Sequence, residues 1–325
     1  MIPITATVVA HIGTLRHGCG METPSSDRQP STNNTSGLTR DVRLLELLAG
    51  DRSARSGGLN VTELAQLTGR SKSIVSRALS TLVEAGLVRR DPETRAFTVG
   101  PRVFAIASKS SEAQLVQLGR PVLRGLVRAT METAHLSILH RGNVLTLASE
   151  LSPKEVRSAG WEGVTTAAWR TPSGRVLVSD WDDASLLAWY ASHGRDIAVI
   201  DAEHFGREPN PFQLHTTPPR TAQTITDAKS LLAEMRRIRV QGYSVVDGEL
   251  EAGVIAASAP VYDHTGRIHA ALNVSGPRER LAPHITDLGV VLNEAATALS
   301  RSLGAPSPKS RSRGQQAPIR LPARQ

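Results

Sequence analysis

Three hydroxyls and two cations crowd into less than two helical turns at Ser71, Lys72, Ser73, Ser76 and Arg77. Such a set at a helix start suits a polyanion, because hydroxyls and helix-start amides bond phosphate oxygens. Arg77, one turn in, is long enough to reach a guanine edge with a two-pronged fork, so it is the expected base reader. Lys72 is the expected phosphate contact. Arg89, Arg90 and Arg95 follow on a predicted hairpin and would clamp the neighbouring backbone. The plainer alternative is a solvated helix face beside a charged hairpin. No single residue separates the two readings, but the order of elements around them does.

Those elements can be read from periodicity and capping. From Arg40, the residues Val42, Leu44, Leu45, Leu47 and Leu48 crowd one side of a short helix that ends at Ala49-Gly50. Asp51 to Gly58 reads as a loop. A second helix starts at Asn60, with Glu63 three residues on in a capping-box arrangement, and Gly69 placed to stop it. The third helix spans about Ser71 to Ala85, with Val75, Ala78, Leu79, Leu82 and Val83 inward and Gly86 at its end. Leu87 to Arg90 and Ala96 to Val99 are extended runs joined by the turn Asp91-Pro92-Glu93-Thr94-Arg95. Three helices and a hairpin are the winged helix-turn-helix order, which places a DNA-binding domain at 37–102.

Beyond Gly100-Pro101, an amphipathic stretch reads as a linker helix over 103–120, divided at Pro121 from the first helix of a second domain over 121–303. His135 to His140 and Val144 to Ser149 alternate around Arg141-Gly142-Asn143, a hairpin signal. Helices are predicted at 173–180, 184–192, 227–241 and 285–303, and strands at 243–246, 254–262 and 268–275. Interspersed strands and helices of these lengths indicate an α+β domain with an antiparallel sheet. Pro, Ser, Thr and Asn dominate 23–36, so 1–36 is read as a disordered arm, with translation expected to begin at Met21. The segment 304–325 is read as a basic disordered tail.

The formal net charge of +8 is unevenly divided. The winged-helix segment carries +4 and the tail +5, whereas 103–303 sums to −1. Positive charge therefore accompanies the predicted DNA-reading elements. The single cysteine, Cys19, makes an intramolecular disulfide impossible, and with no span long enough for a bilayer the expected compartment is the cytoplasm. There is no Gly-x-Ser-x-Gly elbow, phosphate loop or dinucleotide fingerprint, so an enzyme is not expected and no cofactor is implied. His135 and His140 fall on opposite faces of one strand, and His264 and His269 straddle a turn. All four are read as ordinary surface or half-buried histidines, not metal ligands.

In the second domain, Ser173-Gly174-Arg175 opens a helix, and helix-start amides beside a cation attract carboxylates. A plain N-cap is the alternative. Trp161 and Trp169 precede it in a chain with only eleven aromatic residues, and they either wall a pocket or pack in the core.

These segments together resemble the IclR family of regulators over nearly all of Leu38 to Gly304. The resemblance is carried by Val61-Thr62-Glu63-Leu64-Ala65, by Lys72 to Leu79, by Leu82 to Thr94, by Thr224-Ile225-Thr226-Asp227, by Arg239 to Tyr243, and by Gly253 to Asp263 with Ala271 to Pro277. It implies a GAF-like effector-binding domain, a palindromic double-stranded DNA operator, and assembly as a homodimer or tetramer. It also implies a small-molecule effector framed by the helix at Ser173, by Ala256, by Asn273 to Ser275, and by Glu249 in the preceding loop. Where the family often has Cys and Ser, this chain has Ala256 and Asn273, and Gly-Lys at the helix start becomes Gly174-Arg175. Val246 stands where an acidic residue binds small keto acids in some relatives, which implies a larger, partly apolar carboxylate or an aromatic metabolite. Ile74 replaces the usual Thr of the recognition helix, exchanging a hydroxyl for a hydrocarbon contact to a thymine methyl. The resulting expectation is a ligand-responsive regulator, read as a repressor. The competing classes are a nucleoid structural protein using the basic tail, and a small-molecule enzyme with an accessory winged helix.

Overall fold

The computed structural model describes residues 36–158, 160–194 and 224–306, so the readings made for the arm, Met21, Cys19 and most of the basic tail lie outside the described residues. In the N-terminal part, α1 (Gly37–Ala49) buries Leu44, Leu47 and Leu48 at helical spacing. A short helix, α2 (Asp51–Ser56), follows where the sequence predicts a loop. It has too few apolar residues to show a period. Its end is nevertheless well made: Gly57 turns left-handed and returns its N–H to the Ser53 carbonyl.

Helix α3 (Val61–Thr68) has the predicted capping box, with Asn60 Oδ1 accepting from Glu63 N at 3.0 Å and Glu63 Oε2 accepting from Asn60 N at 2.9 Å. Gly69 closes it at φ +65°, a conformation that a Cβ would strain. Helix α4 (Lys72–Glu84) then turns Val75 and Leu79 into the core. The hairpin β1 (Val88–Arg90) and β2 (Phe97–Val99) pairs Val88 with Val99 and Arg90 with Phe97. Leu44, Leu59, Leu64, Val75, Leu79, Val88 and Phe97 meet in one core, so three helices and the wing are held by a single apolar cluster.

Helices α5 (Pro101–Ala107) and α6 (Ser111–Thr130) come next, and Pro121 lies inside α6. The division expected at Pro121 falls instead at Ser108–Ser110, where Ser110 Oγ accepts from Ala113 N at 3.1 Å and starts a new helix. An interior proline costs about 3 kcal/mol. The full burial of Leu115 and Leu123 and the near-full burial of Leu126 offset that cost, since each such side chain contributes roughly 1.5–3 kcal/mol.

The remainder is built on a sheet of β3 (Thr133–His140), β4 (Asn143–Glu150) and β5 (Thr165–Thr166), then β6 (Ser244–Asp247), β7 (Val254–Tyr262) and β8 (Ile268–Pro277). The helices α7 (Pro172–Leu177), α8 (Asp183–His193) and α9 (Ala228–Gln241) come between β5 and β6, and α10 (Arg278–Leu281) and α11 (Ile285–Ser302) follow β8. The strand order is β5-β4-β3-β8-β7-β6, and every pairing is antiparallel. The class is therefore α+β, as the sequence indicates.

One face of the sheet presents Ala134, Leu136, Ala257, Ala259, Leu272 and Val274 to a core shared with α6 and α11. The opposite face meets α7, α8 and α9 around Val176, Leu186, Trp189, Leu231 and Met235. Between Leu136 and Ser137 the β3–β4 register slips, so Leu136 opposes Ala148 and Ser137 opposes Thr146. That bulge puts Ala148 on the α6 side while Thr146 turns to the other face, which strict alternation would forbid. Among the described residues no helix is long and apolar enough to cross a membrane.

Candidate functional site

At the start of α4 the residues Ser71, Lys72, Ser73, Ile74, Ser76 and Arg77 are all exposed, whereas Val75 and Leu79 are buried. Ser71 stands at the N-cap, yet its hydroxyl does not cap the helix; it lies 3.2 Å from the Ser73 hydroxyl. Both hydroxyls are thus left at the surface. Ile74 is 42% exposed, an apolar side chain on an otherwise polar face. Lys72, Arg77 and Arg95 form no ion pair with another described residue, whereas Arg43, Arg52 and Arg70 nearby pair with Glu46, Glu63 and Asp41. Lys72, Arg77 and Arg95, all singled out from the sequence, are exposed at the surface.

The wing is equally well made. Asp91 Oδ1 accepts from Glu93 N, Thr94 N and Thr94 Oγ1 at 2.7–3.0 Å, which closes the turn. Those bonds, led by the Thr94 amide, hold its carboxyl below the usual carboxylate range. Arg95 adopts φ +57°, and Arg89 and Arg90 are exposed on β1. The Arg90 guanidinium lies 5.4 Å from the Phe97 ring centroid, a cation–π contact that steadies it.

The second site is a cavity of about 450 Å³ on the sheet face away from α6. Its floor is polar: His135 and Ser137 from β3, Thr146 from β4, and Asn273 and Ser275 from β8. Thr171, Pro172 and Ser173 wall one side, Val246, Val254 and Ala256 another, and Val156, Arg157, Ser158 and Trp161 lie across it. That crossing strand of loop is tied down at several points. Thr133 Oγ1 donates to the Ser158 carbonyl at 3.0 Å, and Arg280 Nη2 donates to the Val156 carbonyl at 2.8 Å. Lys154 and Arg280 both grip the buried Glu132 carboxylate. Burial pushes that carboxyl up, but the bonds and charges of Arg280 and Lys154 outweigh it and leave it below its ordinary range.

His135 is 5% exposed, which corrects its reading as a surface or half-buried residue. Its Nδ1 lies 2.9 Å from Ser149 Oγ and its Nε2 3.2 Å from Ser275 Oγ. Burial lowers its pKa to about 4, so the ring is neutral at physiological pH. His135, Ser137 and Thr146 belong to this floor although the sequence reading did not select them. The available signal was Thr133, His135 and Ser137 alternating with Ala134, Leu136 and Ile138: polar groups on every second position of an interior strand imply a polar cavity on that side.

Of the residues selected for the effector, Trp161, Ala256, Asn273 and Ser275 line the cavity, and Ser173 joins them. The other four sit behind its wall. Trp169 packs in the α7–α9 core and carries the Arg170 guanidinium 4.6 Å from its ring centroid. Gly174 is needed for close packing, because a Cβ there would lie 2.1 Å from the Ala168 carbonyl oxygen. Arg175 turns away from the cavity, donating to the Trp169 carbonyl at 2.9 Å and to Glu249 Oε2 at 2.6 Å. Glu249 Oε2 also accepts from Ile225 N, and its carbonyl accepts from Arg170 Nη1. The start of α7 is an ordinary cap, with Thr171 Oγ1 taking the Gly174 N–H at 3.1 Å.

No group of three or more His, Cys, Asp or Glu among the described residues could hold a metal ion. Comparison with known proteins identifies the family. Residues 37–92 match the model described as the IclR helix-turn-helix domain, and residues 208–301 that of the bacterial transcriptional regulator IclR C-terminal. The chain is 30% identical over 269 residues to the HTH-type transcriptional regulator BhcR of Paracoccus denitrificans, across 82% of this chain and 88% of that one. It is 25% identical over 285 residues to the acetate operon repressor of Salmonella typhimurium, across 86% and 94%. In fold it is similar to an IclR homologue from Microbacterium hydrocarbonoxydans solved with 4-hydroxybenzoate, with a TM-score of 0.64 at 20% identity over 82% of this chain and 99% of that one. An exposed cationic helix in a winged helix-turn-helix, a six-stranded sheet with a polar cavity on one face, and these relatives lead to one conclusion: the chain belongs to the IclR family of DNA-binding transcriptional regulators and is not an enzyme.

Proposed function

We propose that this regulator is a repressor acting in the cytoplasm as a homodimer or tetramer, released from or recruited to a palindromic operator by a small carboxylate or aromatic metabolite in the cavity. The observation that carries the reading is the cavity itself, a space of about 450 Å³ with a buried polar floor and apolar walls, in the size range of small-molecule sites. A relative named as a repressor and a fold neighbour holding 4-hydroxybenzoate support it. Trp161, Ala256, Asn273 and Ser275 contact the effector; Trp169, Gly174, Arg175 and Glu249 shape the wall behind them. The effector biases the equilibrium between arrangements of the DNA-reading domains, which requires that it bind one arrangement more tightly.

In the DNA-reading domain, Ser71, Lys72, Ser73 and Ser76 meet phosphates, Arg77 and Ile74 face base edges, and Arg89, Arg90 and Arg95 hold the flanking backbone. Arg77→Ala is expected to cost about 1–3 kcal/mol on the operator and to relax preference at one base position. Lys72→Ala is expected to weaken binding to every duplex alike and reduce the salt slope by about one. Fluorescence anisotropy on operator and scrambled duplexes separates the two; equal losses on both for Arg77→Ala would remove its role as base reader. Identical wild-type affinity for the two duplexes at moderate ionic strength would remove the operator reading as a whole.

A further inference from the structure

One wall of the cavity is built differently from the others. Thr133 Oγ1 accepts from Ser152 N at 3.2 Å and donates to the Ser158 carbonyl at 3.0 Å, so one buried hydroxyl ties together the two ends of the segment between them. A loop whose ends meet in this way is a compact flap of the Ω type. Ser152 Oγ strengthens the neck by donating to the Met131 carbonyl at 2.6 Å. Beyond the neck the flap buries little: Pro153, Glu155, Val156 and Arg157 are exposed, and Val156 and Arg157 also line the cavity. Apolar packing therefore does little to hold it shut, which is the mark of an element that opens locally.

What does hold it is polar. Among the described residues, the hydrogen bonds and ion pairs that join 153–157 to anything beyond the neck run from Lys154 to Glu132 at 2.9 Å and from Arg280 to the Val156 carbonyl at 2.8 Å. Both cations converge on the Glu132 carboxylate, which is 1% exposed, and Arg280 takes it with a fork: Nε donates to Oε1 at 2.6 Å and Nη2 to Oε2 at 2.8 Å. Nη2 has two N–H groups, so it serves the carboxylate and the flap together. The carboxylate is seated on bare backbone, since a Cβ at Gly276 would come 2.6 Å from Oε2. The opposite lip has no comparable freedom. Its loop between β6 and β7 is fixed by Gly248 N donating to the Val254 carbonyl at 2.9 Å, by Arg278 N donating to the Gly253 carbonyl at 2.8 Å, and by the buried pair of Glu249 with Arg175. Of the two lips, only the flap depends on side chains at the surface.

We propose that residues 152–158 are a hinged flap through which the effector enters, pivoting on Thr133 and latched by Arg280 through Glu132. This assignment rests on the cavity being the effector site and adds how its ligand is admitted. Arg280 is a positioning residue: it holds the flap and its carboxylate seat and does not touch the occupant. Opening exchanges the Val156 and Lys154 contacts for water and leaves the neck intact. Glu132 keeps Arg280 throughout, because that arginine lies on α10 and not on the flap, so no buried charge is stranded when the flap swings.

The test reads entry into the cavity of the full-length regulator in a Cys19→Ser background. A reporter thiol is placed at the floor by Ser137→Cys, where the native serine is 2% exposed. The probe is dithiodipyridine, a neutral, ring-sized disulfide that labels the thiol. Arg280→Lys keeps a charge for Glu132 but lacks the planar fork that also reaches Val156. It is expected to label the floor about tenfold faster, the effect of one lost hydrogen bond to a charged group. A second reporter, Ser244→Cys, is buried away from the cavity and should label at an unchanged rate, which a general loosening of the domain would not permit. Arg278→Lys, beside the fixed lip, should change neither rate. Lys154→Gln, at a half-buried position on the flap, should speed floor labelling by about two- to fivefold, and it decides the matter where Arg280→Lys fails to fold. Unchanged floor labelling in the folded latch variants, or equal acceleration of both reporters, overturns the flap. These rates need no effector, so the flap is judged by itself; a labelled floor that leaves operator affinity unmoved overturns the effector-site reading alone.

Discussion

Replacing Glu249 by alanine is expected to remove about 3–5 kcal/mol of folding stability, the range for breaking a buried ion pair by deleting one partner. Arg175 is 2% exposed, and its guanidinium is bound by Glu249 Oε2 at 2.6 Å. Without that carboxylate, a desolvated cation keeps, among the described residues, the Trp169 carbonyl through Nε. The same carboxylate holds Ile225 N at 3.2 Å, and the Glu249 carbonyl holds Arg170, so one residue joins the β6–β7 loop to α7 and to the segment before α9. The loss is therefore largely the cost of an orphaned charge and not the net worth of the pair. A double variant, Glu249→Leu with Arg175→Met, should recover most of it, because apolar residues of similar volume often replace buried pairs without loss. Denaturant unfolding of the single and double variants measures both. A single-variant loss below about 1 kcal/mol, or a double variant no better than the single, would contradict this account.

Acidification should destabilise the sheet domain through His135. Its folded pKa is about 4, against an ordinary value of 6.5, and burial is the cause. Above pH 6.5 neither state binds the proton and the stability is complete. As the pH falls from 6.5 to 4, the unfolded chain takes up a proton that the folded chain refuses, so the folded state loses ground. The full loss is about 3 kcal/mol, reached once the pH is below the folded value. Asp180 acts in the opposite sense, because burial raises its carboxyl pKa and the folded state then binds that proton first. Subtracting the His135→Asn variant isolates the histidine. The wild-type minus variant difference in unfolding free energy should shrink between pH 7 and pH 4.5, and parallel pH profiles for the two proteins would show that the ring titrates freely.

What the amino-acid order determined by itself was local. The capping box at Asn60 and Glu63, the stop at Gly69, the turn at Asp91 to Thr94 and the face of α4 all follow from spacings of two to four residues. Such spacings fix backbone hydrogen bonds within one or two turns, so α1, α3, α4 and the hairpin were legible, while the short α2 was not. Tertiary structure decided what long-range register and packing control. Pro121 stays helical because α6 packs its leucines on the sheet, and a bulge at Leu136–Ser137 turns Thr146 toward the cavity. His135, Ser149 and Ser275 meet from three strands separated by up to 140 positions in the chain. Arg175, a natural carboxylate ligand on paper, is instead consumed by Glu249, 74 residues away. A residue's type shows what chemistry it can do, but cross-strand pairing and burial select its partner, and those depend on parts of the chain that no local pattern connects.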